Sequence, residues 1–140
     1  MKNLKDYIRL GIHDNNKKWI FVVIKPGFQK YSKEIIKRFE KSGWLLTKMR
    51  PKQLLLSEAK ELYRVHSKED FYKALCEYMS SDISTGIIFT KSSKMSDKVF
   101  DSVDKIKDEI RNKYGESDMK NVLHSSDSLD NMKRESSIYF

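Results

Sequence analysis

Very little in this chain of 140 residues can staple it or interrupt it: one cysteine, two prolines and five glycines. A lone Cys76 excludes an intramolecular disulfide and suits a reducing compartment, so a cytoplasmic setting is expected. Behind Met1-Lys2-Asn3-Leu4-Lys5-Asp6 there is no apolar core of a signal peptide. No apolar run approaches the ~20 residues that cross a bilayer, which argues against a membrane partner. Internal repeats and low-complexity tracts are missing as well. So is the basic–glycine–aromatic run by which RNA binders of mixed fold stack bases, and nucleic acid is not expected as a partner.

Acidic residues are the minority, 20 against 28 Lys and Arg, for a net charge of +8. That excess favours anionic partners such as nucleotides. The lysines are spread along the chain, a distribution that fits a solvated surface equally well. With 34% charged and 39% hydrophobic residues the composition is that of one globular domain.

Residues 1–18 are polar apart from Tyr7–Ile12 and read as an N-terminal extension; the domain proper is expected over 19–140. Trp19–Ile24 is an apolar, β-branched run stopped by Lys25-Pro26-Gly27, a buried strand and a turn. Ser32 is the expected cap of a helix bearing Ile35, Ile36 and Phe39, with Gly43 as its stop. Trp44–Met49 reads as a second strand, broken by Pro51. Ser57 opens a helix with Ala59, Leu62 and Tyr63. Phe71, Leu75, Tyr78 and Met79 form the core stripe of the next helix. Ile83–Thr90 is the third strand. Between Ile87 and Tyr114 there is neither Gly nor Pro, and Met95, Val99, Val103, Ile106 and Ile110 mark a long helix. Met119–Leu123 is expected to be a short strand, and Ser128 to cap a final helix. The order β-α-β-α-α-β-α-β-α contains the βαββαβ unit of an α+β, ferredoxin-like fold: an antiparallel sheet with helices packed on it.

Chemistry concentrates in Asn121-Val122-Leu123-His124-Ser125-Ser126-Asp127-Ser128. A histidine leaving a strand, followed by small hydroxyl and acidic residues opening a helix, suits phosphate handling. Imidazole is nucleophilic near neutral pH. A single histidine is also commonly structural, and the residues alone leave both readings open. His13 and His66 have no convergent partner in the sequence.

Asn121-x-x-His124-x-Ser126-Asp127-Ser128 resembles the active-site segment of the nucleoside diphosphate kinase family. The likeness extends to Ile110-Arg111, to Glu135 and to the aromatic end Tyr139-Phe140. Phe21–Gly27 resembles the family's first strand and Lys-Pro turn, and Glu34–Glu40 its first helix. The likeness covers roughly residues 19–91 and 110–140. It implies phosphoryl transfer from a nucleoside triphosphate to a nucleoside diphosphate through a phosphohistidine on His124, with Mg²⁺ bound with the nucleotide. By the same resemblance Glu135 orients the imidazole, and Lys25 and Tyr63 lie beside the transferred phosphate. Arg111 contacts phosphate, Asn121 the sugar hydroxyl, and Ser126 the region of the histidine. Phe71 and Leu75 clamp the base. A homo-oligomer is implied too. The alternative is a non-catalytic relative that binds nucleotides or a protein.

Between Thr90 and Ile110 the resemblance stops. The family places there a loop that supplies a second arginine and a threonine to the phosphates; here the segment is shorter, reads as helix and has no threonine. Lys94 or Lys98 is the expected substitute, although a lysine lacks the bidentate fork. The Lys25-Pro26 turn is shortened as well. Reduced activity and a changed assembly, such as a dimer, are therefore expected.

Overall fold

In this computed structural model the described residues are 17–92 and 98–140. Their fold is built around β1 (Lys18–Ile24), the strand whose six apolar residues are all buried. A central strand covered on both faces must be apolar at every position, and that is why no alternation shows in Trp19–Ile24. Trp19, Phe21 and Val23 face one core; Ile20, Val22 and Ile24 face the other.

Four strands form the sheet in the order β2-β3-β1-β4, with β2 spanning Leu45–Lys52, β3 Ser84–Lys91 and β4 Leu123–Ser125. Every neighbouring pair is antiparallel. This is the expected α+β, ferredoxin-like arrangement. Helices α1 (Ser32–Lys41) and α4 (Lys98–Tyr114) cover one face through Ile35, Phe39, Val99, Val103, Ile106 and Ile110. Helices α2 (Leu56–Leu62), α3 (Tyr72–Met79) and α5 (Leu129–Tyr139) cover the other. Each fully buried aliphatic or aromatic side chain contributes about 1.5–3 kcal/mol, so the doubly covered β1 anchors everything attached to it.

Helix ends explain most boundaries. Gly43 has φ of +91° and follows α1 in a Schellman turn: its N–H meets the Glu40 carbonyl at 2.9 Å, and Trp44 N–H meets that of Phe39 at 3.1 Å. Ser128 caps α5 by accepting from the Asn131 N–H at 3.2 Å.

Several sequence expectations need correction. Lys18 belongs to β1 rather than to an extension, and residues 1–16, with Tyr7–Ile12, lie outside the described residues. So do Lys94 and Met95. Pro51 does not end β2 but sits within it, opposite Thr85; β2 is an edge strand of the sheet, where a missing N–H costs no ladder bond. Ser32 is the first residue of α1, not its cap; its hydroxyl donates back to the Gln29 carbonyl at 2.7 Å. At α2 the cap position is Leu55, whose N–H is taken by Glu58 Oε1 at 2.9 Å, so Ser57 lies inside the helix. The last strand begins at Leu123, where residues 119–123 were expected. Phe71 is not core: it precedes α3 and is 45% exposed.

Candidate active site

His124 owes its position to alternation. It pairs with Val23 across the β1–β4 ladder and so points to the face covered by α2, α3 and α5. Leu123 and Ser125, opposite Ile24 and Val22, point to the α4 face. Because β4 has three residues and lies at the sheet edge, side chains from both faces meet around it. Lys25, two residues beyond Val23, falls on the same face as the histidine.

Before β4 the chain makes an abrupt turn. Val122 has φ of +82° and Leu123 N–H reaches the Asn121 carbonyl at 3.1 Å, a γ-turn. A β-branched residue in that region carries about 1–3 kcal/mol of strain, and such strain gathers at functional sites. The Val122 carbonyl is held by Lys25 N–H at 2.8 Å, which ties the end of β1 to the start of β4.

Around His124 lies a pocket of about 580 Å³. Glu135, buried on α5, hydrogen-bonds Nε2 of the imidazole. Nδ1 has no hydrogen-bond partner among the described residues. Burial lowers the His124 pKa, and the Glu135 charge opposes that shift; a neutral ring with its proton on Nε2 donates to Glu135 and keeps a lone pair on Nδ1. Tyr63 packs edge-on against the histidine at 5.0 Å, His66 lies 6.4 Å from Tyr63, and Phe71 lies 5.5 Å from His66. These rings line the pocket together with Leu75 and Val65.

Cations line the same pocket, Lys25 Nζ lying 5.9 Å from the centre of the Tyr63 ring. Lys25 Nζ donates to Asn121 Oδ1 at 2.7 Å and to the Met119 carbonyl at 3.2 Å. Asn121 is itself held by the Asp118 carbonyl at 2.8 Å. Arg111 donates to the Leu123 carbonyl at 2.9 Å, and Lys107 to Ser125 Oγ at 2.9 Å. Burial, with Arg111 and Lys107 adding like charge, lowers the Lys25 pKa to about 7. Cations crowded at that cost mark a place for an anion. Two buried donors, Tyr63 OH and Arg111 Nε, have no partner among the described residues. Each unsatisfied group costs about 1–3 kcal/mol, a further sign of a site built for oxygen ligands.

The family model for nucleoside diphosphate kinase matches residues 19–140. The chain belongs to the nucleoside diphosphate kinase family. It is 32% identical to the nucleoside diphosphate kinase of Fervidobacterium nodosum over 86% of each chain. It is 31% identical to that of Prosthecochloris aestuarii, over 76% of this chain and 79% of the relative. Among solved structures, the Aquifex aeolicus nucleoside diphosphate kinase superposes with a TM-score of 0.77 at 22% identity, covering 89% of this chain and 95% of that one; the likeness is one of fold. The family is one of phosphotransferases.

Of the residues the sequence singled out, His124, Glu135, Lys25, Tyr63, Phe71, Leu75, Arg111 and Asn121 all line this one pocket. Ser126 does not. Its hydroxyl is buried beneath the wall without a partner among the described residues, and its N–H reaches the Phe21 carbonyl at 3.3 Å. Lys98 opens α4 on an exposed turn and does not line the pocket. Lys107, Asp118 and His66, to which the sequence assigned no role, line it as well, and Ser125 and Asp127 join it from the phosphate-handling segment around His124. Lys107 had a signal: it stands one helical turn before Arg111, on the same face of α4.

Proposed function

We propose that the chain is a nucleoside diphosphate kinase in which Nδ1 of His124 carries the phosphoryl group between nucleotides. The observation that carries this reading is an oriented imidazole, gripped by Glu135, that shares one pocket with Lys25, Lys107 and Arg111. The Nδ1 lone pair attacks the γ-phosphorus, an N–P bond forms, and the bond to the β,γ-bridging oxygen breaks to release a nucleoside diphosphate. The proton on Nε2 stays with the Glu135 hydrogen bond and stabilises the ring as it gains positive character. A second nucleoside diphosphate then takes the phosphoryl group through its terminal oxygen, and the neutral imidazole returns. Lys25 and Arg111 offset charge on the equatorial oxygens of the loose transition state. Asn121 binds the sugar hydroxyl, Phe71 and Leu75 hold the base, and Ser126 supports the strand that carries the histidine.

Mg²⁺ fits as a companion of the nucleotide. Among the described residues no group of three His, Cys, Asp or Glu forms a resident metal site. Asp118 and Asp127 on the pocket wall are the carboxylates available, and Mg²⁺ takes one or two carboxylates plus substrate phosphates. Bound there it supplies charge neutralisation on the β- and γ-oxygens.

No helix of the described residues is long and apolar enough to cross a membrane, and Cys76 is buried and free, in keeping with a cytoplasmic protein. A homo-oligomer is supported by edge strand β2, which leaves Leu45 66% and Met49 44% exposed. Residues 19–140 form the working domain. Segment 91–109 holds neither the second arginine nor the threonine that the family brings to the phosphates, so the rate falls below that of intact relatives.

The test is steady-state transfer from ATP to a series of nucleoside diphosphates. Parallel double-reciprocal lines, abolished in His124→Asn, are expected. Intersecting lines, or full activity in the variant, would exclude the phosphohistidine route. Nucleotide binding without transfer would leave a non-catalytic nucleotide-binding relative.

A further inference from the structure

We propose that Lys107 is the mobile cation of the pocket: it leaves Ser125 and takes hold of the nucleotide's phosphate chain, in the diphosphate as in the triphosphate. The inference rests on the phosphotransfer reading above and names a further residue for it. Three cations line the pocket, and two are fixed. Lys25 is held by Asn121 and the Met119 carbonyl, and Arg111 by the Leu123 carbonyl. Lys107 is held by partners it can give up. One is the neutral hydroxyl of Ser125 at 2.9 Å; the other is Asp104, at 3.2 Å and itself 61% exposed. With its carboxylate that open to water, the ion pair is weak. A phosphate oxygen in place of the hydroxyl gives a bond roughly twice as strong.

Position agrees with the role. Ser125 directly follows His124 in β4, so Nζ of Lys107 stands beside the nucleophile's own strand, on the α4 side of the edge. A lysine is a compact charge on a flexible four-carbon stem, suited to swing from a resting contact to a phosphate as charge develops. The continuous helix over 98–114 makes this geometry, since it brings Lys107 and Arg111 to the pocket on successive turns.

The test uses the full chain with Lys107→Met, which keeps the apolar stem, Lys107→Arg, and Lys105→Met, which removes the same charge from an exposed position on α4 outside the pocket wall. Binding of ADP and of adenosine is measured by titration calorimetry, phosphoryl transfer by rapid quench, and folding by thermal melting. Lys107→Met is expected to weaken ADP about tenfold, leave adenosine unchanged and slow transfer about 10- to 100-fold, as loss of one charge-assisted bond requires. Lys107→Arg retains most of the function, and Lys105→Met matches the unsubstituted protein. The proposal is overturned if Lys107→Met leaves ADP affinity and transfer within about twofold, if both Met variants lose ADP equally, or if adenosine binding falls in parallel. Binding of ADP without transfer in the unsubstituted protein would sink the kinase reading, while the ADP-to-adenosine comparison still decides Lys107. Failure to bind ADP at all would sink both.

Discussion

Glu135 grips Nε2 of His124 and leaves Nδ1 with no hydrogen-bond partner among the described residues. The carboxylate arrives from α5 and the imidazole from β4, so the contact joins the last helix to the sheet edge. Its chemical effect is a choice of tautomer: the nitrogen that donates to the carboxylate cannot be the nucleophile, and the other can.

Replacing Glu135 with Gln keeps an acceptor oxygen and removes the charge. The Glu135 charge raises the His124 pKa against burial, so Glu135→Gln lowers that pKa further. Phosphohistidine formation slows about 10- to 100-fold, the worth of a charge-assisted bond. Ring titration by NMR and rapid-quench labelling check the two effects. An unchanged or raised pKa would remove the role assigned to Glu135.

Lys25 makes nucleotide binding a proton-linked event. Its pKa in the free protein is lowered to about 7, and phosphate oxygens beside it raise that value on binding. Above pH 7 the free side chain loses its proton while the complex keeps it, so binding takes a proton up. ADP affinity then falls as pH rises, toward about tenfold per unit, and levels off below about pH 6, where both states are charged. Calorimetry at about pH 8.5 in buffers of different ionisation enthalpy is expected to show uptake approaching one proton per ADP. Net release would contradict the account.

At Val122 the usual order of Ala and Gly is expected to invert. The backbone there sits at φ +82°, a conformation that glycine adopts freely and alanine does not. Val122→Gly and Val122→Ala both lose buried side-chain surface, but only the first also relieves strain. Urea denaturation is expected to find the Gly variant more stable than the Ala variant by about 1 kcal/mol. The reverse order would show that the turn carries no strain.

Gly86 of β3 leaves room for Tyr139 of α5. A Cβ at Gly86 would stand 2.6 Å from Cγ of that ring, and the ring is fixed from its far end by a 2.5 Å hydrogen bond between its hydroxyl and Ser84. Gly86→Ala is expected to cost about 1–3 kcal/mol through overpacking. Tyr139 and Glu135 share α5, so His124 labelling should slow as well. A melting curve and a labelling rate both unchanged would show that α5 adjusts freely.

How far the sequence foretold this molecule depended on what each signal encodes. Strand β1, the Gly43 stop and the Ser128 cap were legible because a buried run, a left-handed glycine and an N-cap hydroxyl are local facts. The break expected at Pro51 was wrong for a non-local reason: a proline is tolerated in β2 only because that strand is an edge, and strand order is not written in any short segment. Phe71 followed the apolar spacing of α3, yet the helix begins after it and its ring lines a pocket. Lys107 carried only its one-turn spacing from Arg111, as one lysine among many, and its role became legible when α4 packed beside β4. His66 was passed over because its partners, Tyr63 and Phe71, meet it only after the chain turns between α2 and α3.

The central claim is that His124 is the phosphoryl carrier. The most direct measurement is a single turnover with γ-labelled ATP and Mg²⁺, quenched in alkali and mapped by peptide. An acid-labile, alkali-stable phosphoryl group is expected on Nδ1 of His124, lost when ADP is added and never formed in His124→Asn. A label on any other residue, or one that survives the substitution, would contradict it.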